Sequence, residues 1–144
     1  MRLATLAASA LLLFPAAPLA AQRPTPDSPP LLSWSEQLTV RERWLHERHA
    51  RLLPMMRSHG IAMWIIVNEE FHDDPLVAHI APPRPYVGNR DIFVFVDTGD
   101  AGLKTIAITG YTEETLAAFF ESAEPAPAQK RLAELVATYT PKTI

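Results

Sequence analysis

The stretch Ser33 to Glu70, SWSEQLTVRERWLHERHARLLPMMRSHGIAMWIIVNEE, permits few folds. Its first half has a helical period. Leu38, Leu45, Leu52 and Met56 are spaced by seven, seven and four, which puts them on one helix face. Val40, Trp44 and Leu53 widen that stripe, and Arg41, Glu42, Arg43, Glu47, Arg48 and Arg51 fall mostly on the other side. Ser33 with Glu36 has the spacing of a capping box, and Thr39 with Glu42 offers a later start. Gly60 supplies a left-handed stop, with His59 before it as a cation suited to the helix dipole. Pro54 lies inside the pattern, removes one backbone hydrogen bond and predicts a kink. The second half, IAMWIIVN, is apolar almost throughout and too short for a membrane span. It predicts a strand buried on both faces and central in its sheet, with Ile65 and Val67 on one side and Trp64 and Ile66 on the other. Helix, tight turn and strand together define an α/β domain.

The remaining pattern extends this reading. Asp74-Pro75 predicts a short helix to about Ile80, with Asp74 as its cap; Pro82, Pro83 and Pro85 end it. Residues 91–97, DIFVFVD, read as a second apolar strand. TGDAG supplies turn chemistry, and LKTIAIT, residues 103–109, completes an antiparallel hairpin. Thr112, Glu114 and Thr115 open a short helix toward Phe119 and Ser122. Residues 130–139, KRLAELVATY, carry Leu132, Leu135, Val136 and Tyr139 on one face of a further helix, which Thr140-Pro141 ends. The final KTI reads as the opening of a strand, by default a short C-terminal edge strand and by the sharper reading the start of one in a longer protein.

The N-terminus has a different character. Residues 1–21 place one Arg before the apolar run Leu3 to Phe14 and then small residues, the layout of a secretory signal peptide cleaved after Ala21. Residues 22–32, QRPTPDSPPLL, form a proline-rich linker, leaving residues 33–144 as the folded domain. The expected location is exported, periplasmic or secreted, with no membrane attachment after cleavage. The whole chain has 13 basic and 16 acidic residues; the leader removes Arg2 alone, so 12 basic against 16 acidic leaves a mature charge of −4. That acidity argues against nucleic acid, whose binders carry a basic patch. Cysteine is absent, so neither disulfides nor thiolate metal sites arise.

Few residues suggest chemistry. Glu69, Glu70, His72, Asp73 and Asp74 form the densest cluster, a solvated loop by default and a metal or hydrolase site by the sharper reading. His46 and His49 lie three apart on the first helix, but no third ligand matches their spacing. Arg84 and Arg90 flank Tyr86 in the proline-rich loop, where they could meet an anionic ligand. No G-x-S-x-G elbow or glycine-rich phosphate loop is present.

The order of these pieces resembles the N-terminal, non-catalytic domain of secreted bacterial Xaa-Pro aminopeptidases of the creatinase/prolidase family. The residues that carry the likeness are the signal peptide, VRERWLHERHARLLPMMRSHGI, MWIIVNEE, FHDDP, DIFVFVD and the closing helix with TPKTI. The resemblance implies a mixed sheet flanked by helices, of ribonuclease-H-like topology. It further implies a C-terminal pita-bread catalytic domain and sister subunits as partners. Two divalent metals, manganese or zinc, would belong to that other domain, held by two Asp, one His and two Glu, with no cofactor in this chain. No position here matches that ligand set, so no catalytic or metal residue is carried over. Asn68, Asp73 and Arg84 are expected at the rim of the family's catalytic cleft. The alternatives are a free-standing periplasmic binding or interaction module and a small hydrolase using residues 69–74.

Overall fold

A computed structural model describes residues 29–83, 89–110, 114–123 and 127–144. The chain divides into Met1–Leu31 and Leu32–Ile144, and the architecture here belongs to the second unit. The leader, most of the linker, Arg84, Tyr86 and Thr112 lie outside the described residues.

The first helix, α1, spans Trp34–Ser58, and Ser33 caps it. The Ser33 hydroxyl accepts from the Glu36 N–H while the Glu36 carboxylate accepts from the Ser33 N–H at 2.8 Å, so both halves of the capping box form. The helix continues through Pro54, and Gly60 turns the chain at a φ of +67°. Strand β1, Met63–Glu69, follows. A four-residue helix, α2, occupies Val77–Ile80. Strands β2, Arg90–Asp97, and β3, Leu103–Ile108, form the expected hairpin, with a 3₁₀ turn at Gly99–Ala101 between them. Helix α3, Glu114–Ala117, leads into a two-residue strand β4, Glu121–Ser122, and α4 spans Ala128–Tyr139. Among the described residues no helix is long and apolar enough to cross a membrane.

The sheet runs β1-β2-β3-β4, antiparallel across the first three strands and parallel between β3 and β4. It is a mixed sheet between two helical layers, and the protein is of the α/β class. On one face, Ile66, Phe93, Phe95 and Ala107 pack with Leu52 and Met56 of α1, Ile80 of α2 and Leu116 of α3. On the other, Met63, Ile92, Val94, Val96 and Ile106 pack with Leu135 of α4, and Leu132, Val136 and Tyr139 close the edge. The period-two alternation of a strand makes this division. The Arg57 guanidinium clasps the hairpin end, its Nε and Nη2 each donating to an Asp97 carboxylate oxygen at 2.8 Å and Nη2 also to the Gly99 carbonyl at 2.7 Å.

Three expectations need correction. The apolar strand β1 is not central: it pairs with β2 alone and forms an edge of the sheet. An apolar run reports burial on the faces of a strand and says nothing about its neighbours in the sheet, and Val67, at 40% exposure, is left largely uncovered on its own face. Leu38 and Trp44 leave the buried stripe, at 39% and 48% exposure. The 25 residues of α1 extend about 37 Å, whereas a seven-residue strand covers about 23 Å, so the helix outruns the sheet. Asp74 does not sit at the N-cap position, which Leu76 occupies; it forms the turn before α2 instead. The C-terminal KTI meets the outer edge of β1. Thr143 accepts the Met63 N–H at 3.1 Å through its carbonyl and the Ala62 N–H at 2.9 Å through its hydroxyl, which in turn donates to the Gly60 carbonyl.

Adjacent residues on β1 should therefore behave differently. Ile66→Ala removes a buried side chain and is expected to cost about 2–5 kcal/mol, whereas Val67→Ala, at an exposed side chain, should stay within about 0.5 kcal/mol. Urea unfolding of the two variants measures the difference.

Candidate functional site

The end of β1 builds the best-defined polar feature. By alternation Asn68 points to the α1 face, as Trp64 and Ile66 do, and it is buried. Its Oδ1 accepts the Asp74 N–H at 2.7 Å and its Nδ2 donates to Asp73 Oδ1 at 3.4 Å. Opposite it in the ladder stands Asp91, also buried. Asp74 Oδ1 accepts the Leu76 N–H at 2.9 Å and its carbonyl accepts the Val77 N–H at 3.0 Å, which turns the chain into α2. One buried amide thus organises the whole loop from Glu70 to Leu76.

Phe71, at the tip of that loop, has a φ of +65° and an exposure of 90%. A bulky side chain in the left-handed region costs about 1–3 kcal/mol and persists only where neighbours hold it. The His72 N–H donates to the Glu69 carbonyl at 2.9 Å across the turn, and the Asn68 bonds fix its far side.

Asn68 and Asp73, two of the three expected rim residues, are brought together on one cleft of about 640 Å³, walled by Phe71, Pro75, Val77 and Asp91. Arg84 lies outside the described residues. The acidic cluster of the sequence is distributed among separate tasks. Glu69 pairs with Arg90 across the β1–β2 ladder, Asp73 meets Asn68, and Asp74 forms the turn. Among the described residues no three His, Asp or Glu side chains gather in a manner that would hold a metal ion. His46 and His49 also part. His46 packs against Phe119 in a tilted arrangement, ring centroids 4.4 Å apart, and His49 donates from Nε2 to the Ile80 carbonyl at 2.7 Å, ringed by Phe95, Phe119 and Phe120.

A second cleft, of about 680 Å³, adjoins the first. Leu38, Trp44, Pro82, Pro83 and Phe119 form its apolar wall, and Arg41, Glu42, Arg48 and His79 stand around it. Arg41, Ala78, Ala81, Pro82 and Pro83 line both clefts, so the two form one groove along α1 and α2. Sequence reasoning placed Leu38 and Trp44 in the core and missed this groove. Its one legible signal was a helix too long for the strand that follows it.

Fold and groove together define a small α/β domain with an open, mixed apolar and charged surface channel. No family model matches the chain, and no curated protein or solved structure matches it either.

Two outcomes follow from the geometry. Asn68→Ala leaves the Asp74 N–H without its side-chain acceptor and should cost about 1–3 kcal/mol, with faster hydrogen exchange at the Asp74 amide. Burial lowers the His49 pKa below the usual imidazole value; the Ile80 carbonyl opposes that shift and His46 adds to it. The unfolded chain takes up this proton below about pH 6.5 while the folded chain still resists it. Stability is therefore fully present above that pH and declines as pH falls through it. Urea titrations across this range should show a shallower decline for His49→Gln than for the parent chain.

Proposed function

We propose that this chain is the non-catalytic N-terminal domain of an exported Xaa-Pro aminopeptidase-like metallopeptidase, and that it shapes access to a catalytic site carried by a separate pita-bread domain. The observation that carries the reading is the loop after β1. The resemblance rested on WIIVNEE followed by DP at fixed spacing, and those residues work as one hydrogen-bonded unit through Asn68, Asp73 and Asp74. A mixed sheet flanked by helices also suits the reading, and the finer ribonuclease-H-like topology belongs to it. In this role Asn68, Asp73 and Arg84 form a rim that limits peptide entry, and the domain contributes contacts to sister subunits. The two metals, manganese or zinc, and the bond-breaking water belong to the partner domain. Export places the mature N-terminus at Gln22, in the periplasm or outside the cell.

The second reading, a free-standing periplasmic binding module, is favoured by the open groove along α1. The two readings diverge in one experiment. The chain alone, and the product of the complete reading frame that contains it, are assayed on an Ala-Pro peptide while manganese or zinc is titrated by calorimetry. The chain alone should give no turnover, and the complete product should cleave the peptide through a two-Asp, one-His, two-Glu set. Turnover by the chain alone would shift the assignment to a small hydrolase. A complete product without that ligand set would favour the binding module.

A further inference from the structure

The outer edge of β1 is closed at both ends and open between them. Its ladder with β2 uses the even positions: the Asp97 N–H donates to the Ala62 carbonyl at 3.0 Å, and the Glu70 N–H to the Asn89 carbonyl at 2.9 Å. Met63, Ile65, Val67 and Glu69 therefore turn their backbone groups outward. At one end the Thr143 carbonyl accepts the Met63 N–H, and the Thr143 hydroxyl spans Ala62 and Gly60. At the other end the Glu69 carbonyl accepts the His72 N–H in an antiparallel bridge. Between these points the amides and carbonyls of Ile65 and Val67 have no partner among the described residues. The exposed Val67 side chain adds apolar surface beside them.

The two closures decide how one β1 could pair with another. In a twofold antiparallel contact, outward residues meet in pairs that exchange both hydrogen bonds. The registers that use Ile65 or Val67 are centred on Ile65, Ile66 or Val67. Centred on Ile65, the contact sets Val67 of the second copy against Met63, where Thr143 already lies. Centred on Ile66, it sets Glu69 of the second copy against Met63, and the His72 turn strikes the same place. Centred on Val67, it sets that turn against Ile65. Thr143 thus blocks the one register that the His72 turn leaves free.

We infer that residues 141–144 act as a strap that holds the domain monomeric, and that release of the strap lets β1 pair with β1 of a second copy about a twofold axis at Ile65. Every outward amide and carbonyl of Met63, Ile65 and Val67 then meets its counterpart, Ile65 against Ile65 and Met63 against Val67. The same contact covers the Val67 side chain. Among the described residues the strap's hydrogen bonds to β1 all run through Thr143, so it can open while the sheet stays folded. The strap is a device against edge-to-edge association, and it is reversible. It goes beyond the aminopeptidase reading and does not rest on it.

Sedimentation equilibrium over a concentration series, together with amide hydrogen exchange, provides the test. The parent chain should stay monomeric, with the Met63 amide protected and the Ile65 and Val67 amides exchanging fast. Deleting residues 141–144 should produce a dimer in which the Ile65 and Val67 amides become protected. Thr143→Ala keeps the full length, removes the hydroxyl's bonds to Ala62 and Gly60, and should tighten dimerisation about tenfold or more. Thr143→Ser keeps the hydroxyl and should behave as the parent. Val67→Pro removes an outward N–H that has no partner among the described residues, so the ladder to β2 survives it. Added to the deletion or to Thr143→Ala, it should restore the monomer, and circular dichroism of each variant should match the parent. A deleted chain that is folded and monomeric, association that Val67→Pro leaves intact, or a parent chain already paired through Ile65 and Val67 would overturn the inference. If the deletion unfolds the chain, Thr143→Ala decides, and a monomer at every concentration counts against the strap. None of these readouts depends on peptidase activity or metal, so their failure leaves the aminopeptidase reading to its own assay.

Discussion

The double-sided burial of β2 is the constraint on which the domain depends. Ile92, Phe93, Val94, Phe95 and Val96 are each at most 2% exposed, with the two phenylalanines facing α1 and the aliphatic residues facing α4. A strand in this position must have a neighbour on each edge and a helical layer on each face. β1 and β3 supply the first, and α1 and α4 the second. Phe95 links several of these elements through its ring. It stacks on Trp64 of β1 at 5.4 Å, meets His49 of α1 edge-on at 5.7 Å and touches Phe120 at 5.7 Å. Ring pairs of this geometry contribute about 0.5–1.5 kcal/mol beyond their buried area.

Much of this was legible in the residues, and the failures have physical causes. The capping box at Ser33, the hairpin of residues 91–109 and the apolar face of α4 are local patterns, and local patterns fix local structure. The place of β1 in the sheet is a long-range property. IAMWIIVN has helices on both faces at an edge as it would at the centre, so composition could not separate the two. The short helix expected to reach Ser122 stops at Ala117, and the strand β4 that takes its last positions was missed for a related reason. Its two residues, Glu121 and Ser122, pair with β3 through tertiary placement and carry no strand signal of their own.

The polar loop shows the same division. That a loop follows β1 at residues 70–74 was readable from their charge, although Glu69 itself belongs to the strand. That Asn68 would govern it was not, because one Asn at the end of an apolar strand looks like a terminator and not like an organiser. Its burial on the α1 side of the sheet and the two bonds it makes give it that role. The carboxylates then divide between a cross-strand pair, a bond to Asn68 and a turn.

The contact between Thr143 and the start of β1 has a consequence for synthesis. The Thr143 hydroxyl meets Gly60 and Ala62 across more than 80 positions of sequence. A ribosome releases the chain from its N-terminus, so α1 and β1 emerge long before their last hydrogen bonds become available. Until residue 143 clears the exit tunnel, the Met63 and Ala62 amides stay unpaired at an apolar sheet edge, the kind of edge that recruits other chains. The nascent chain is therefore most exposed to chaperone capture, and to mispairing with its neighbours on a polysome, in the interval between the emergence of Glu69 and that of Thr143.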